Sequence, residues 1–404
     1  MDSIVVVNCG SSSVKVDVFD TAARENPASA LVERVGTDAA VMKLSVAAAD
    51  GSSTKHEVPL PGADHDGAVK AVFAAVTERG YVVKAAGHRV VHGGVRFTDS
   101  VVIDDHVLAA VEACVPLAPL HNPPNLKGIA AARTALKDIP HVAVFDTAFH
   151  QTIPEVAWRY ALPRAIADEQ NYRRFGFHGT SHRYVTERAA AFFARPVESL
   201  KLVTLHLGNG CSACAVDGGK SVDTTMGMTP LEGLVMGTRA GDVDPAIVLA
   251  LARERGVDEA EALLNKKSGL LGLSGKSDMR DVIAAADGGD EASVLAVAIF
   301  CRRVRKTVGA LACALGGLDA VVFTGGIGEN SARARAEICE GLRVVGALLH
   351  DRKNSASSSA ERDLSMMDSR ARILVIPTDE EKAIARDVVR LTQPATPSTT
   401  SGQA

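Results

Sequence analysis

A β-branched apolar run opens the chain, and after a polar turn apolar and polar positions follow a two-residue beat. Residues 4–9 read Ile-Val-Val-Val-Asn-Cys, Gly10-Ser-Ser-Ser13 interrupts them, and Val14, Val16 and Val18 then alternate with Lys15 and Asp17. The pattern predicts strand, tight turn, strand. A Walker loop or a dinucleotide fingerprint needs a helix directly after its glycines, so the alternation argues against both. The same order returns at 202–219: Leu-Val-Thr-Leu-His-Leu, Gly208-Asn-Gly210, Cys-Ser-Ala-Cys-Ala-Val, then a hairpin turn at Asp217-Gly-Gly219. Two such units far apart in sequence predict a duplicated domain. A third glycine cluster differs, because the apolar run 321–324 leads into a bend at 325–328 and then a helix carrying Ile338 and Leu342, capped by Asn330 or Ser331.

Helical spacing of apolar residues predicts further helices over 68–79, 182–194, 245–265, 290–315 and 379–391. Another runs over 122–136, with Asn122 as cap before Pro123-Pro124 and Pro140 beyond its end. The serine-rich stretch 351–359 reads as a surface loop, and 394–404, rich in Pro, Ser and Thr, as a disordered tail.

A chain of 404 residues is too long for one ordinary core and calls for two or three domains. Its 47% hydrophobic and 23% charged content excludes disordered and collagenous classes. With 44 Lys+Arg against 48 Asp+Glu it has no field to hold a polyanion, so no nucleic-acid partner is expected. The N-terminus lacks the basic start and apolar run of a signal peptide, and no stretch reaches a membrane span, which points to a cytoplasmic protein without a membrane partner. Seven cysteines, an odd number spread widely, fit reduced thiols better than a disulfide framework. Cys211 and Cys214 form a C-x-x-C without a second pair, and their alternation fits small strand residues better than metal ligands.

Several polar residues sit where folding alone does not require them. Hydroxyls and amides at Ser11, Ser12 and Ser13, with a second turn at Asn209-Gly210, could hold a polyphosphate, although glycine and serine also favour ordinary hairpins. The amides of the third glycine loop could receive an anion or the ribose-phosphate edge of a nucleotide. Arg89 follows Gly87-His88, and Arg239 lies in Met236-Gly-Thr-Arg-Ala-Gly241; each can offer a planar fork to phosphate oxygens or simply occupy a solvated turn. His178 and His182 are four apart, yet Gly179 stands where a zincin needs Glu, and Thr180 or Ser181 looks like a helix cap. His178 is therefore read as a phosphate-oxygen donor and His182 as structural. Asp146, ending an apolar strand, could orient a magnesium-bound water or be a satisfied strand-end carboxylate.

Together these segments resemble the acetokinase family, the acyl-phosphate-forming branch of the superfamily that includes sugar kinases, actin and the heat-shock chaperone ATPases. The resemblance runs in order through Asn8-Cys-Gly-Ser-Ser-Ser-Val-Lys15, His88-Arg-Val-Val-His-Gly-Gly94, Pro119-Leu-His-Asn-Pro123, Phe145-Asp-Thr-Ala-Phe-His150, Gly176-Phe-His-Gly-Thr-Ser-His182, Gly208-Asn-Gly210, Met236-Gly-Thr-Arg239, Gly325-Gly-Ile-Gly-Glu-Asn330 and Pro377-Thr-Asp-Glu-Glu381. It implies an α/β protein with a duplicated actin-like, ribonuclease H-like fold: two domains, 1–150 plus 381–393 and 151–380, each a mixed five-stranded sheet flanked by helices, with the nucleotide between them.

The implied reaction is reversible transfer of the ATP γ-phosphoryl group to acetate, giving acetyl phosphate and ADP, in a homodimer that uses Mg²⁺, with Mn²⁺ as a substitute. Arg89, Asp146, His178 and Arg239 would surround the transferred group. Val91, Leu120, Phe177 and Pro230 would enclose the acyl methyl beside Arg89. Lys15, Ser11, Ser13, His206, Asn209, Gly210, Asp278, Arg280, Gly326, Ile327 and Asn330 would bind ATP, and Asn8 and Glu380 would serve the metal. His121 would support the site. Where family members read Asn, this chain has Asp379, and the loop around Lys276 is one residue shorter than usual. A propionate or other short-chain acyl kinase is the near alternative. A sugar or polyol kinase would need a base and a polar pocket, whereas the four pocket residues are apolar. A non-enzymatic actin-like ATPase would need a polymer contact or an appended domain.

Overall fold

The structure, a computed structural model, describes residues 1–47 and 52–393; the tail expected over 394–404 lies outside them. The chain divides into two compact units, one built from Met1–Ala148 and the segment that starts at Asp379, the other from Phe149–Thr378. These divisions fall two residues from those expected after 150 and 380.

The first unit is organised on β1 (Asp2–Cys9). It pairs antiparallel with β2 (Ser13–Asp20), setting Asn8 opposite Lys15 across the glycine–serine turn. Beyond β2 lie β3 (Ala28–Glu33), β4 (Val41–Ala47) and β5 (Ser53–Pro59). On the other side β6 (Val82–Val90) and β8 (His141–Phe145) run parallel to β1, and the short β7 (Val101–Val102) closes the edge, giving the order β5-β4-β3-β2-β1-β6-β8-β7.

Both faces of β1 are covered, and its alternation shows with what. Val5, Val7 and Cys9 join the core that includes Val69, Val72 and Phe73 of the helix His65–Glu78 and Ala131 and Ala132 of the helix Asn122–Ala135. Ile4 and Val6 join the core that includes Ile384 and Val388 of the C-terminal helix Glu380–Thr392. A strand buried on both faces reads as the continuous apolar run seen at 4–7. Glycine permits two close approaches: a Cβ on Gly128 would meet Cys9 Sγ at 2.2 Å, and one on Gly87 would meet Ile384 Cγ2 at 2.6 Å and Val388 Cγ2 at 2.8 Å.

The second unit repeats the strand–turn–strand unit as β9 (Lys201–Leu207) and β10 (Cys211–Asp217), followed by β11 (Lys220–Thr224). β12 (Ala320–Thr324) and β14 (Arg372–Val375) run parallel to β9, and β13 (Arg362–Asp363) completes the order β11-β10-β9-β12-β14-β13. The helices Gly179–Phe193 and Glu291–Leu315 pack on this sheet, the latter burying Ala296, Phe300, Val304, Val308 and Leu311 along one stripe.

Among the described residues the sheets hold eight and six strands rather than five each. The additions lie at edges, and β5 is exposed at every residue, so no burial pattern marks it in the sequence. The helix expected over 245–265 is two, Pro245–Arg255 and Val257–Lys266, because Gly256 takes φ +86° between them. Asn122 does not cap its helix; it is the first helical residue, and its amide exchanges hydrogen bonds with the backbone of His92. Neither Thr180 nor Ser181 caps the helix after Gly179, since the cap position is His178. The glycine bend at 325–328 is a short helix, Gly325–Asn330, and Ser331 caps the next, Ala332–Cys339, which ends before Leu342. The serine-rich stretch begins as a helix, Asp351–Ser355, with Asn354 buried against Arg335.

Gly87→Ala is expected to lower stability by about 1–3 kcal/mol by forcing the C-terminal helix off β6. The check is the urea midpoint at constant denaturant slope; an unchanged midpoint would show that the helix yields without cost.

Candidate active site

In the first unit the parallel pairing of β6 and β8 brings their C-terminal ends side by side. Arg89 is the penultimate residue of β6 and Asp146 directly follows β8. Arg89 grips the buried carboxylate in a fork, Nε to Oδ1 at 3.0 Å and Nη2 to Oδ2 at 2.7 Å. Glu380, opening the C-terminal helix, places Oε2 at 3.9 Å from Arg89 Nε. Burial works against the Arg89 charge, but Asp146 and then Glu380 outweigh it and raise its pKa. Glu380 is pushed up to about 7, by burial first and by the Asp146 and Glu381 carboxylates, with Arg89 and Lys15 opposing.

Lys15 donates to Glu381 Oε1 at 2.6 Å and lies 3.2 Å from Asp17 Oδ2. Burial lowers its pKa, and these carboxylates more than offset that. Asn8 is its cross-strand neighbour, and the exposed Ser11 and half-buried Ser13 flank the turn between them. Val91 is buried one residue past the end of β6, so it does not share a strand with Arg89; its amide donates to Asn125 Oδ1, whose amide in turn donates to Cys9 O. Leu120 is exposed. Asp379 caps the C-terminal helix by accepting from Lys382 N, a role that Asn fills equally well.

In the second unit His178 caps the helix Gly179–Phe193 with φ +56°, a conformation uncommon outside glycine. Its Nδ1 lies 2.8 Å from Ser212 Oγ, and the same hydroxyl is 2.8 Å from His182 Nε2. With one proton, the Ser212 hydroxyl donates to one of these imidazoles and accepts from the other. His182 is fully buried, and burial, followed by His150 and His206, holds its pKa well below the usual value. The His178 ring stacks on His206 with centroids 4.2 Å apart.

Arg239 donates to Pro230 O at 2.6 Å, and among the described residues it pairs with no carboxylate. Burial consequently lowers its pKa. Gly210 lies between these groups: a Cβ there would sit 2.8 Å from Arg239 Nη2 and 3.2 Å from His178 Nε2. Gly237 likewise admits Asn209, whose Oδ1 would be 2.0 Å from an added Cβ. Phe177 is buried, its carbonyl 2.9 Å from His150 Nε2.

A cavity of about 890 Å³ in this unit is lined by Gly208, Asn209, Asp278, Arg280, Gly326, Ile327 and Asn330, together with Ser277, Met279, Ile283, Ser331, Ala332 and Arg333. The expected nucleotide residues Asn209, Asp278, Arg280, Gly326, Ile327 and Asn330 therefore converge on one space of cofactor size. Asp278 caps the helix Met279–Asp287 and holds the Arg280 side chain, whose hydrogen bond brings its carboxyl down to about 2. Ile283 was missed, although it stands one helical turn from Met279 and that spacing was legible. Ser212 and Glu329 were also missed. Glu329 lies in the Gly325-Gly-Ile-Gly-Glu-Asn330 motif without a role read for it, and Ser212 lies in no motif; their contacts come from a distant amide and from strand pairing.

Among the described residues no group of three or more His, Cys, Asp or Glu side chains could cage a metal. Glu380 is nevertheless raised, first by burial and then by the nearby carboxylates of Asp146 and Glu381. Hard oxygen donors in small number fit Mg²⁺, which keeps waters and is held partly by substrate phosphates.

A model described as the acetokinase family matches residues 3–386. An acetate kinase of Clavibacter michiganensis is 49% identical over 97% of this chain and 100% of its own. The crystal structure of Porphyromonas gingivalis acetate kinase is similar at a TM-score of 0.90 and 41% identity, over 97% of this chain and 100% of that one. A propionate kinase from Francisella tularensis is similar at a TM-score of 0.91 and 40% identity, over the same shares.

His88, which burial first and His141 and Arg133 next hold neutral, and His182 both charge on unfolding in acid. Their folded pKa values lie below the unfolded one, so the stability they support is present above about pH 6.5 and is lost as pH falls below it. The urea midpoint is expected to drop from pH 7 to 5, more steeply in the parent than in His182→Asn. Equal slopes would show that His182 carries a proton in the fold.

Proposed function

The chain belongs to the acetokinase family, whose interconversion of acetate plus ATP with acetyl phosphate plus ADP is the reaction it catalyses, and we propose that it does so by direct in-line phosphoryl transfer. Acetate is ionised at neutral pH, since a carboxylic acid titrates near about 4 to 5, and needs no general base. The difficulty is electrostatic: one anion must approach another. Catalysis then consists of positioning and of charge placed where it develops.

The observation that carries this reading is Arg239, a half-buried guanidinium with no carboxylate partner among the described residues, crowded with His178 against a glycine that leaves room for nothing else. Such a group meets its counter-charge in a ligand. Arg239 and His178 bind equatorial phosphoryl oxygens, and Arg89, oriented by Asp146, offsets the remaining repulsion. The cavity at Asp278, Gly326 and Asn330 takes the nucleoside, with Asn209, Gly210 and His206 on its phosphates; Lys15, Ser11 and Ser13 at the β1–β2 turn are further phosphate-binding residues.

Asn8 and Glu380, with Asp146 beside them, would hold Mg²⁺, which when bound would neutralise phosphate charge. Asp146 is already engaged by Arg89, which suits orientation rather than proton abstraction. Val91, Leu120, Phe177 and Pro230 exclude larger or polar acceptors. The helix Pro245–Arg255 buries none of its residues and exposes Ile247 and Leu249, which supports pairing of two copies as a homodimer. Among the described residues no helix is long and apolar enough to cross a membrane, and all seven cysteines are free thiols, both compatible with a cytoplasmic location.

Hydroxylamine trapping of the acyl phosphate tests the reading. With Mg-ATP, hydroxamate is expected from acetate, less from propionate, and none from glycerol or without acceptor. ATP consumed with glycerol instead would contradict it. Arg89→Ala should lower turnover on the order of 10³-fold, with Lys rescuing poorly for want of the planar fork; full turnover in the alanine variant would remove Arg89 from the mechanism.

A further inference from the structure

Glu329 belongs to the cavity's short helix, Gly325–Asn330, but no step above uses it. One of its oxygens, Oε1, accepts from Gly325 N at 2.9 Å, from Thr378 N at 3.1 Å and from Thr324 Oγ1 at 3.3 Å. The backbone of Thr378 is thereby tied to the helix that carries Gly326, Ile327 and Asn330. The Thr378 hydroxyl lies 2.9 Å from Ser181 Oγ, which lies 2.8 Å from His206 Nδ1. The His206 ring stacks on His178.

We propose that Glu329 and Thr378 are positioning residues that determine which nitrogen of His206 carries its proton. A serine hydroxyl has one proton, so Ser181 can donate to only one of these neighbours, and a chain of donors passing through it runs in a single direction. If Thr378 donates to Ser181 and Ser181 donates to Nδ1, the neutral ring keeps its proton on Nε2. If the chain runs the other way, Nε2 is bare. Nε2 lies 3.8 Å from where a Cβ on Gly208 would be, and Gly208 lines the nucleotide cavity. A phosphate oxygen there is attracted by a donor and repelled by a bare lone pair. Resting on the nucleotide reading above, this selects the first direction. Glu329 holds Thr378 where its hydroxyl reaches Ser181, and so links the loop under the nucleoside to an imidazole at the phosphates.

The test is the ¹⁵N spectrum of histidine-labelled, nucleotide-free protein at pH 8, with the His206 signals assigned by their loss in His206→Gln. The parent is expected to show Nε2 protonated and Nδ1 bare. Thr378→Val removes the hydroxyl and keeps the amide; it should mix the two tautomers and lower kcat about fivefold with the KM for ATP unchanged, and Thr378→Ser should restore both. Glu329→Ala should mix the tautomers and also raise the KM for ATP, because Gly325 loses its acceptor. If Thr378→Val does not fold, Ser181→Ala cuts the same chain and is read the same way. A parent protonated on Nδ1, a tautomer unmoved by these variants, an unchanged kcat, or a serine variant no better than valine would each overturn the assignment. The spectrum needs no turnover, so a parent that makes no acetyl phosphate counts against the reaction, and a wrong tautomer against this proposal.

Discussion

The reaction presses an acetate anion against an anionic phosphoryl group, and the protein answers with positive charge that it must keep available. A guanidinium removed from water is costly unless it is paired, and one already satisfied by a carboxylate has less to offer a substrate. The two arginines resolve this differently. Arg89 is gripped by Asp146 and approached by Glu380, so its charge is secure and its geometry rigid. Arg239 has, among the described residues, the Pro230 carbonyl and no carboxylate, and its pKa falls with burial. The less satisfied residue is the one poised for a ligand.

Holding such a group requires support from elements far apart in sequence. Parallel strands place Arg89 and Asp146 at adjacent strand ends, and the C-terminal helix, seated against Gly87, brings Glu380 to them. In the second unit Gly210 gives up a side chain so that Arg239 and His178 can approach, and the left-handed backbone of His178 turns its ring toward Ser212. His182, kept neutral by burial, adds no charge that would compete for the phosphoryl group.

Much of this was legible because local chemistry and fold agree. The order of apolar run, glycine turn and alternating run at 4–18 and 202–216 specified hairpins that are found as β1–β2 and β9–β10. Glycine clusters marked close approaches, and the residues expected at the nucleotide, drawn from three separate segments, line one cavity. What escaped depends on tertiary context. The exposed β5 has no face to alternate against, and Gly256 broke a helix whose apolar spacing continues through it. His178 took the cap position from the better capping residues Thr180 and Ser181, and Asn122 turned from capping its own helix to clamping His92. Glu329 could not be singled out from sequence, because its partner amide at Thr378 is 49 residues away.

The account turns on Arg239 holding a charge that the fold does not need. The direct measurement is the urea midpoint of Arg239→Met, which keeps comparable bulk without the charge, compared with the parent in buffer free of nucleotide and multivalent anions. A midpoint at or above that of the parent, with acetyl phosphate formation lost, is the predicted result. A midpoint well below it would make Arg239 a structural residue and contradict the account.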